Sequence, residues 1–191
     1  MQVNFSGEDL VVEFGDDLTY DDAVNCYGNH SATKLKIDSS YNDSKIEIRS
    51  DGNDGKLYNN VKDIDASAYN GQAVLVGNTM DNVITASSGR STLWGGANND
   101  DDTLIGSSDY NEFFYLKGNG NDIIKYAKNT DLINLLDINL EDISSVGFDG
   151  LNLKLNFNTG GSLSMASLSN LTFQLADGNK YHSYQIIKAL R

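Results

Sequence analysis

The chain has 191 residues, and its 27 Asp and Glu against 14 Lys and Arg give a net charge of −13. Nucleic acids and anionic membranes attract positive surfaces, so this charge argues against both as partners. A transmembrane helix needs about 18 consecutive apolar residues, and no such run occurs, so we expect no membrane insertion. The excess acid suits a cation as partner; the alternative is that the carboxylates only keep the protein soluble.

The first part of the chain, residues 1–40, alternates apolar and polar residues. This alternation is found in LVVEF and KLKID and is typical of β-strands, and FGDDLTY between them indicates a turn. We therefore predict an N-terminal strand or hairpin cap over 1–40.

An apolar residue recurs at nine-residue steps through the second part, residues 41–126, and then continues at steps of eleven, nine and eleven. These positions, here called the spine, are Ile48, Leu57, Ala66, Leu75, Ile84, Leu93, Leu104, Phe113 and Ile124. A unit of one tight turn and one short strand cannot bury its apolar side chain alone, whereas stacked units form a continuous narrow core. The period predicts an all-β fold, a parallel β-roll or β-solenoid of nonapeptide repeats with two repeats in each turn of the coil.

The third part, residues 127–191, predicts a β-rich C-terminal cap. DLINLLDINLEDISSV indicates one short helical turn, and LNLKLNF and LTFQLADG alternate as strands do. VNFSGEDLVVEF from Val3 and VGFDGLNLKLNF from Val146 also resemble each other. The resemblance predicts a β-hairpin at each end of the array, where it would cover exposed strand edges, and it suggests one unit of a longer, repetitive polypeptide.

The segment LWGGANNDDDTLIGSSDYNEFFYLKGNGNDII, from Leu93 to Ile124, carries the chemistry of the array. It resembles the hemolysin-type calcium-binding repeat of RTX proteins, whose nonapeptide reads G-G-x-G-x-D-x-apolar-x. In that family the glycine-rich turns present backbone carbonyls, and the aspartate adds a carboxylate. The resemblance therefore implies Ca²⁺, a hard cation that takes six to eight oxygen ligands.

The aspartate of the repeat stands two residues before the spine residue, at a position here called the slot. Asp102 and Asp122 fill the slots before Leu104 and Ile124, and Asn82 and Asn111 fill two others with neutral oxygens. The remaining slots are Ile46, Gly55, Ile64, Ala73 and Ser91. Apolar residues cannot bind a cation, so most of the array is expected to be metal-free.

Alternate repeats line the same edge of such a coil, so Asn82, Asp102 and Asp122 are expected on one edge, and Ser91 and Asn111 on the other. The family holds calcium between the turns of repeats n and n+2. The resemblance thus implies a site between the Gly95–Asp102 and Gly118–Asp122 turns, and a weaker one between Gly77–Asn82 and Gly95–Asp102. The predicted calcium ligands, for one or two ions, are Asn82, Gly95, Gly96, Asn98, Asp100, Asp102, Gly118, Gly120 and Asp122. The alternative is a degenerate array that needs no metal.

The aromatic residues of the array fall at or beside spine positions, which favours core or strand-face packing over a sugar-stacking platform. They are Trp94, Phe113, Phe114, Tyr115 and Tyr126. Alternation places Trp94 and Phe114 on the face opposite Leu93 and Phe113.

No motif of an enzyme is present. His30 and His182 are isolated, and the chain contains no H-E-x-x-H, G-x-S-x-G or phosphate-loop sequence. Pairs of carboxylates are too frequent here for their spacing to identify a glycan-cleaving site. We therefore predict that the chain is not an enzyme.

The RTX resemblance implies an extracellular bacterial module, exported by type I secretion and folded by calcium outside the cell. We expect a calcium-binding structural module of a larger secreted or cell-surface protein. The alternative is an adhesin module whose exposed face binds a host protein or glycan, which a contiguous exposed aromatic patch would favour. An ice-binding solenoid is less well supported, because no regular threonine ladder occurs.

Overall fold

A computed structural model describes residues 2–6, 9–13, 34–37, 45–49, 62–166 and 170–190, with side chains for 36, 37, 48, 62–165 and 170–190. The strands are β1 (Gln2–Ser6), β2 (Asp9–Glu13), β3 (Lys34–Ile37), β4 (Lys45–Arg49), β5 (Asp63–Asp65), β6 (Gln72–Val76), β7 (Val83–Thr85), β8 (Ser91–Trp94), β9 (Thr103–Ile105), β10 (Asn111–Phe114), β11 (Asn121–Lys125), β12 (Leu132–Leu135), β13 (Ile143–Asp149), β14 (Asn152–Phe157), β15 (Ser162–Ala166), β16 (Thr172–Leu175) and β17 (Lys180–His182). A 3-10 turn (Leu140–Asp142) and the helix α1 (Ser183–Ala189) complete the described elements. The class is all-β, as predicted. Nowhere in the described ranges is a helix long and apolar enough to cross a membrane.

Two mainly parallel sheets make up the fold. One has the order β1-β2-β3-β5-β7-β9-β11-β15-β14-β13, and the other has the order β17-β16-β12-β10-β8-β6-β4. From β3 to β12 the chain visits the two sheets alternately, so that each strand pairs in parallel with the strand two places along the chain. We call the path from one strand to its neighbour in the same sheet a circuit.

The spine residues form the core between the sheets. Ile48 is 6% exposed, and the spine residues from Ala66 to Ile124 are 0% exposed. Alternation explains the pattern, because neighbouring side chains of a strand point to opposite faces, and β8 and β10 both read buried, half-buried, buried, half-buried. The predicted burial is confirmed at each of these positions, while Leu57 lies outside the described residues.

The length of a circuit differs from the predicted 18 residues. Ile64 pairs with Ile84, and Ile84 pairs with Leu104, so each step is 20 residues. The slot residues Asn82 and Asp102, which are hydrogen-bonded to each other, are also 20 residues apart. The step from Leu75 to Leu93 has 18. The first two steps are longer, with 29 residues from Leu35 to Ile64 and 27 from Ile48 to Leu75, so the prediction of two nonapeptides in each turn was wrong there. The assignment of Ala66 to the spine was therefore wrong by two residues: Ile64 is the strand residue, and the slot before it is Lys62 rather than Ile64.

The similar segments at the two ends of the chain form equivalent hairpins. β1 and β2 are antiparallel with Val3 opposite Val12, and β13 and β14 are antiparallel with Val146 opposite Leu155. The two hairpins stand at opposite ends of the ten-stranded sheet. The similarity in sequence therefore corresponds to the same pairing register.

The sheets continue across the predicted boundaries at 40 and 126. β3 pairs in parallel with β5, and β12 pairs in parallel with β10. The division into 1–40, 41–126 and 127–191 stays a prediction about units of the chain.

The aromatic residues follow the prediction in part. Phe113 and Tyr115 are buried, and Tyr115 stacks on Phe157 with ring centroids 4.9 Å apart. Trp94 and Phe114 are half-buried on the opposite strand face. Tyr126, however, is 70% exposed and has a φ of 59°, so the expected packing was wrong at this residue, which directly follows β11.

Helical structure in the last third is slightly richer than the sequence indicated. The short helical turn expected in DLINLLDINLEDISSV is the 3-10 turn. The helix α1 was not predicted, because SYQIIKA is a short segment with one strongly buried apolar residue, Ile186. A period of 3.6 residues cannot be recognised over so few positions.

Candidate metal centre

Three slot residues form a buried column along one edge of the fold. Asn82, Asp102 and Asp122 are each 2% exposed or less. Oδ1 of Asp102 accepts a hydrogen bond from the backbone N–H of Asn82 at 2.8 Å, and Oδ1 of Asp122 accepts one from the N–H of Asp102 at 3.0 Å. Each carboxylate thus joins its own circuit to the preceding one. We call this column the first edge; its stacking agrees with the predicted register.

Neutral slot residues close their own turns with a hydrogen bond. The side chain of Asn82 accepts the N–H of Asn78 at 2.7 Å, and the hydroxyl of Ser91 accepts the N–H of Ser87 at 3.1 Å. Asp102 behaves differently, because its second oxygen, Oδ2, is inaccessible to solvent and has no hydrogen-bond partner. The turn that ends at Asp102 is therefore left with an oxygen that its own backbone does not satisfy.

Asp100 adds two more such oxygens. Both carboxylate oxygens of Asp100 are inaccessible to solvent and lack a hydrogen-bond partner. A buried polar atom without a partner costs about 1–3 kcal/mol, and more when it is charged. Three unpaired oxygens on neighbouring residues therefore need protons or a cation.

Burial raises the pKa of these acids. The pKa of Asp102 rises to about 7 and that of Asp122 to about 8, because burial and neighbouring carboxylates outweigh the backbone N–H that each one accepts. Burial also raises the pKa of Asp100. The ion pairs among the described residues do not include Asp100, Asp102 or Asp122, so no positive side chain there offsets the repulsion between these carboxylates.

A second, exposed column of acids runs beside the buried one. The N–H of Asp101 donates to Oδ1 of Asp81 at 3.0 Å, and the N–H of Asn121 donates to Oδ1 of Asp101 at 2.9 Å. These carboxylates hold the same circuits together from outside and add negative charge at the same edge.

The glycines of the two predicted turns allow the backbones to approach closely. A Cβ atom at Gly95 would overlap the carboxylate of Asp102, and one at Gly120 would overlap the carbonyl oxygen of Asp100. Gly120 also has a φ of +84°, which other residues rarely adopt. The Gly95–Asp102 and Gly118–Asp122 turns therefore lie in direct contact, as the predicted site requires.

Replacement of Gly120 by alanine is expected to destabilise the protein more than Gly178→Ala. Both glycines have a φ near +80°, but a Cβ at Gly178 would meet nothing within 4 Å. The left-handed conformation costs each variant about 1–2 kcal/mol, and the overlap with Asp100 adds about 1–3 kcal/mol to Gly120→Ala alone. Urea unfolding of both variants measures the difference; equal midpoints would show that the two turns do not depend on close contact.

The other predicted ligands are less directly involved. Asn98 and Gly118 are exposed, and Gly96, which is buried, has its carbonyl oxygen in contact with Nδ2 of Asn119. Asn82 uses its side-chain oxygen within its own turn. The weaker of the two predicted sites, between Gly77–Asn82 and Gly95–Asp102, thus has unpaired oxygen only on its Asp102 side.

Two buried residues of these edges were missed. Asn119 is 1% exposed and joins two turns, since its Oδ1 accepts the N–H of Leu116 at 2.6 Å and its Nδ2 contacts Gly96. Asp131, which is 2% exposed, fills the slot before Ile133. In D-L-I, Asp131 stands two residues before Ile133, which is the spacing that identified Asp102 and Asp122. Asp131 was not predicted because it lies beyond residue 126, where the predicted array ends. Ser91, Asn111 and Asp131 form the second edge.

No cluster of three or more Asp, Glu, His or Cys side chains suited to a metal ion occurs within 62–165 and 170–190. A cation at the first edge would therefore take its ligands from the oxygens of Asp100 and Asp102 together with backbone carbonyls or water. Such a mixed, oxygen-only shell is compatible with Ca²⁺, which tolerates flexible geometry. The unpaired oxygens fit a cation in chemical type, and the residues present allow no nitrogen- or sulfur-based site there.

The resemblance to RTX repeats rests on the motif residues of this chain alone. Comparison of the chain with protein-family models, with curated proteins and with solved structures gave no match.

Proposed function

We propose that this chain is a calcium-binding structural module of a secreted or cell-surface protein, and that its two-sheet coil is a β-roll stabilised by calcium at the first edge. The observation that carries the proposal is the set of three buried, unpaired carboxylate oxygens on Asp100 and Asp102. Their repulsion disfavours the metal-free fold, and a divalent cation would remove it. One ion between the Gly95–Asp102 and Gly118–Asp122 turns is the favoured stoichiometry.

The alternation of strands between two sheets supports the β-roll. The circuits of 20 residues bring slots of alternate repeats together, and the turns between strands carry the glycines and acids. Export and calcium-driven folding outside the cell follow from the RTX resemblance and belong to the same proposal. The adhesin alternative requires an exposed aromatic face. Trp94 and Phe114 are neighbours on adjacent strands, but both are half-buried, so they give this alternative little support.

Calcium is expected to raise the melting temperature of the protein relative to chelator. A site filled at 100 times its dissociation constant stabilises a fold by about 2.7 kcal/mol, which corresponds to roughly 5–10 °C for a domain of this size. Magnesium should stabilise less, because it demands strict octahedral geometry and gives up its water reluctantly. Thermal unfolding followed by circular dichroism measures all three conditions.

Asp102→Asn separates the proposed role from a packing role. The amide can still accept the N–H of Asn82 but carries no charge, so we expect higher stability than wild type in chelator and a lost response to calcium. Asp149→Asn, at an exposed aspartate of β13, is the matched control and should respond as wild type does. A wild-type melting temperature that is the same in calcium and chelator would overturn the proposal.

A further inference from the structure

The second edge holds a cation of its own. Nζ of Lys128 lies 2.5 Å from the carbonyl oxygen of Ser107, 2.6 Å from that of Asp109 and 3.4 Å from Oδ1 of Asp131. Two carbonyls of one turn and a carboxylate of the next circuit therefore converge on a single positive charge. The Lys128 side chain is 34% exposed and that of Asp131 is 0% exposed, so the ammonium closes the site from the solvent side.

The two edges are equivalent in their backbone geometry. Asp131 stands two residues before Ile133, as Asp122 stands before Ile124. Its Oδ1 accepts the N–H of Asn111 at 3.0 Å, and Oδ1 of Asp122 accepts the N–H of Asp102 at the same distance. Both carboxylates thus hold the same place between circuits.

The edges differ in how their charge is balanced. At the second edge, Oδ2 of Asp131 accepts the N–H of Lys128 at 2.8 Å, and the ammonium of the same lysine faces Oδ1. At the first edge the described residues supply no ion pair, and oxygens of Asp100 and Asp102 stay unpaired. Asp131, with Lys128 three residues before it, has both oxygens satisfied, whereas Asp102, with Asn99 at the same spacing, keeps an unpaired Oδ2.

We propose that Lys128 is a built-in cation that takes the place of a metal ion at the second edge, and that its removal creates a divalent-cation site formed by Ser107, Asp109 and Asp131. The carbonyl and carboxylate oxygens that surround the ammonium are the ligand types that calcium prefers. The second edge is then independent of metal, and dependence on calcium is confined to the first edge. The inference extends the proposed function and relies on it only for the choice of calcium as the probe.

Lys128→Met tests the inference, because methionine keeps most of the length of the side chain and lacks its charge. Calorimetric titration with calcium should give one more bound ion per chain than wild type, and calcium should raise the melting temperature of the variant by more than that of wild type. Lys125→Met, at an exposed lysine of β11, is the control and should bind calcium as wild type does. If Lys128→Met is unfolded in chelator, refolding by calcium is the equivalent result.

Two further variants make the test independent of the first edge. In an Asp102→Asn background, calcium bound by Lys128→Met beyond that bound by Asp102→Asn alone belongs to the second edge, so such an excess supports the inference even when wild type binds none. Lys128→Met combined with Asp131→Asn removes both charges and should bind no additional calcium. Unchanged stoichiometry in Lys128→Met, or failure of calcium to stabilise it beyond wild type, would overturn the inference while leaving the first-edge proposal untouched.

Discussion

In the absence of calcium, the free energy of unfolding is expected to fall as the pH rises from about 4 to about 8. The pKa of an aspartate in an unfolded chain is near 3.8, whereas burial raises that of Asp102 to about 7 and that of Asp122 to about 8. Between these values the folded protein binds more protons than the unfolded chain, so raising the pH favours unfolding. One pKa unit corresponds to about 1.4 kcal/mol, so the loss amounts to several kcal/mol.

Other acids act in the opposite direction but at lower pH. Hydrogen bonds and, for Asp142, a salt bridge to Lys117 lower the pKa of Asp142 and Asp177, so the stability they contribute is lost as the pH falls below about 4. The two effects therefore separate on the pH axis. Maximum stability of the metal-free protein is expected on the acidic side of neutrality, near the lower end of the window.

Calcium should remove this fall, since it binds the ionised carboxylates and competes with their protons. Melting temperatures between pH 4 and pH 9, in chelator and in calcium, should diverge as the pH rises. The double variant Asp102→Asn with Asp122→Asn should show little of the decline, because its two amides do not titrate. Stability in chelator that stays constant or increases across the window would contradict the raised pKa values and the charge repulsion inferred from them.

The repeated core was predictable because burial imposes a period that survives variation in the turns. Each inward position must be apolar to fill a narrow core, and this requirement identified Leu75, Ile84, Leu93, Leu104 and Phe113 without a structure. The slot residues followed, since they stand at a fixed distance from the spine. The hairpins at the two ends were likewise found from paired motifs with one register.

The same reasoning failed where two residues satisfied the pattern equally well. Ile64 lies in β5 and Ala66 directly follows that strand, and both are apolar and buried. Only pairing with Ile84 distinguishes them. The circuits of 20 residues were also hidden, since added turn residues change the spacing and leave the core residues unchanged.

The role of Lys128 could not be inferred from sequence. A lysine three residues before an aspartate is common, and its meaning depends on the carbonyls of Ser107 and Asp109, which lie 21 and 19 residues away along the chain. Asp131 was overlooked because the array was ended at 126. Partners distant in sequence become visible only when the register of the sheets is known.

Truncation of the core at Phe113 is expected to cost about 3–5 kcal/mol, the usual range for a buried phenylalanine replaced by alanine. Phe113 is 0% exposed and pairs with Leu93 on one side and Ile133 on the other, so its ring fills the core across three consecutive circuits. Stacked repeats contact only their neighbours, and distant side chains therefore cannot move in to close the cavity.

Phe148→Ala is the matched control, because Phe148 has the same side chain on the edge strand β13 and is 64% exposed. Its free energy of unfolding should change by no more than about 0.5 kcal/mol.

Urea unfolding in chelator should give Phe113→Ala a lower midpoint with an unchanged slope, the mark of lost stability without a change in the surface exposed. A reduced slope would instead show that the circuits on the two sides of Phe113 unfold separately, and similar midpoints for both variants would place the core elsewhere. Because the first edge lies across the same circuits, calcium should recover part of the stability lost in Phe113→Ala, through binding energy that depends only on the folded turns.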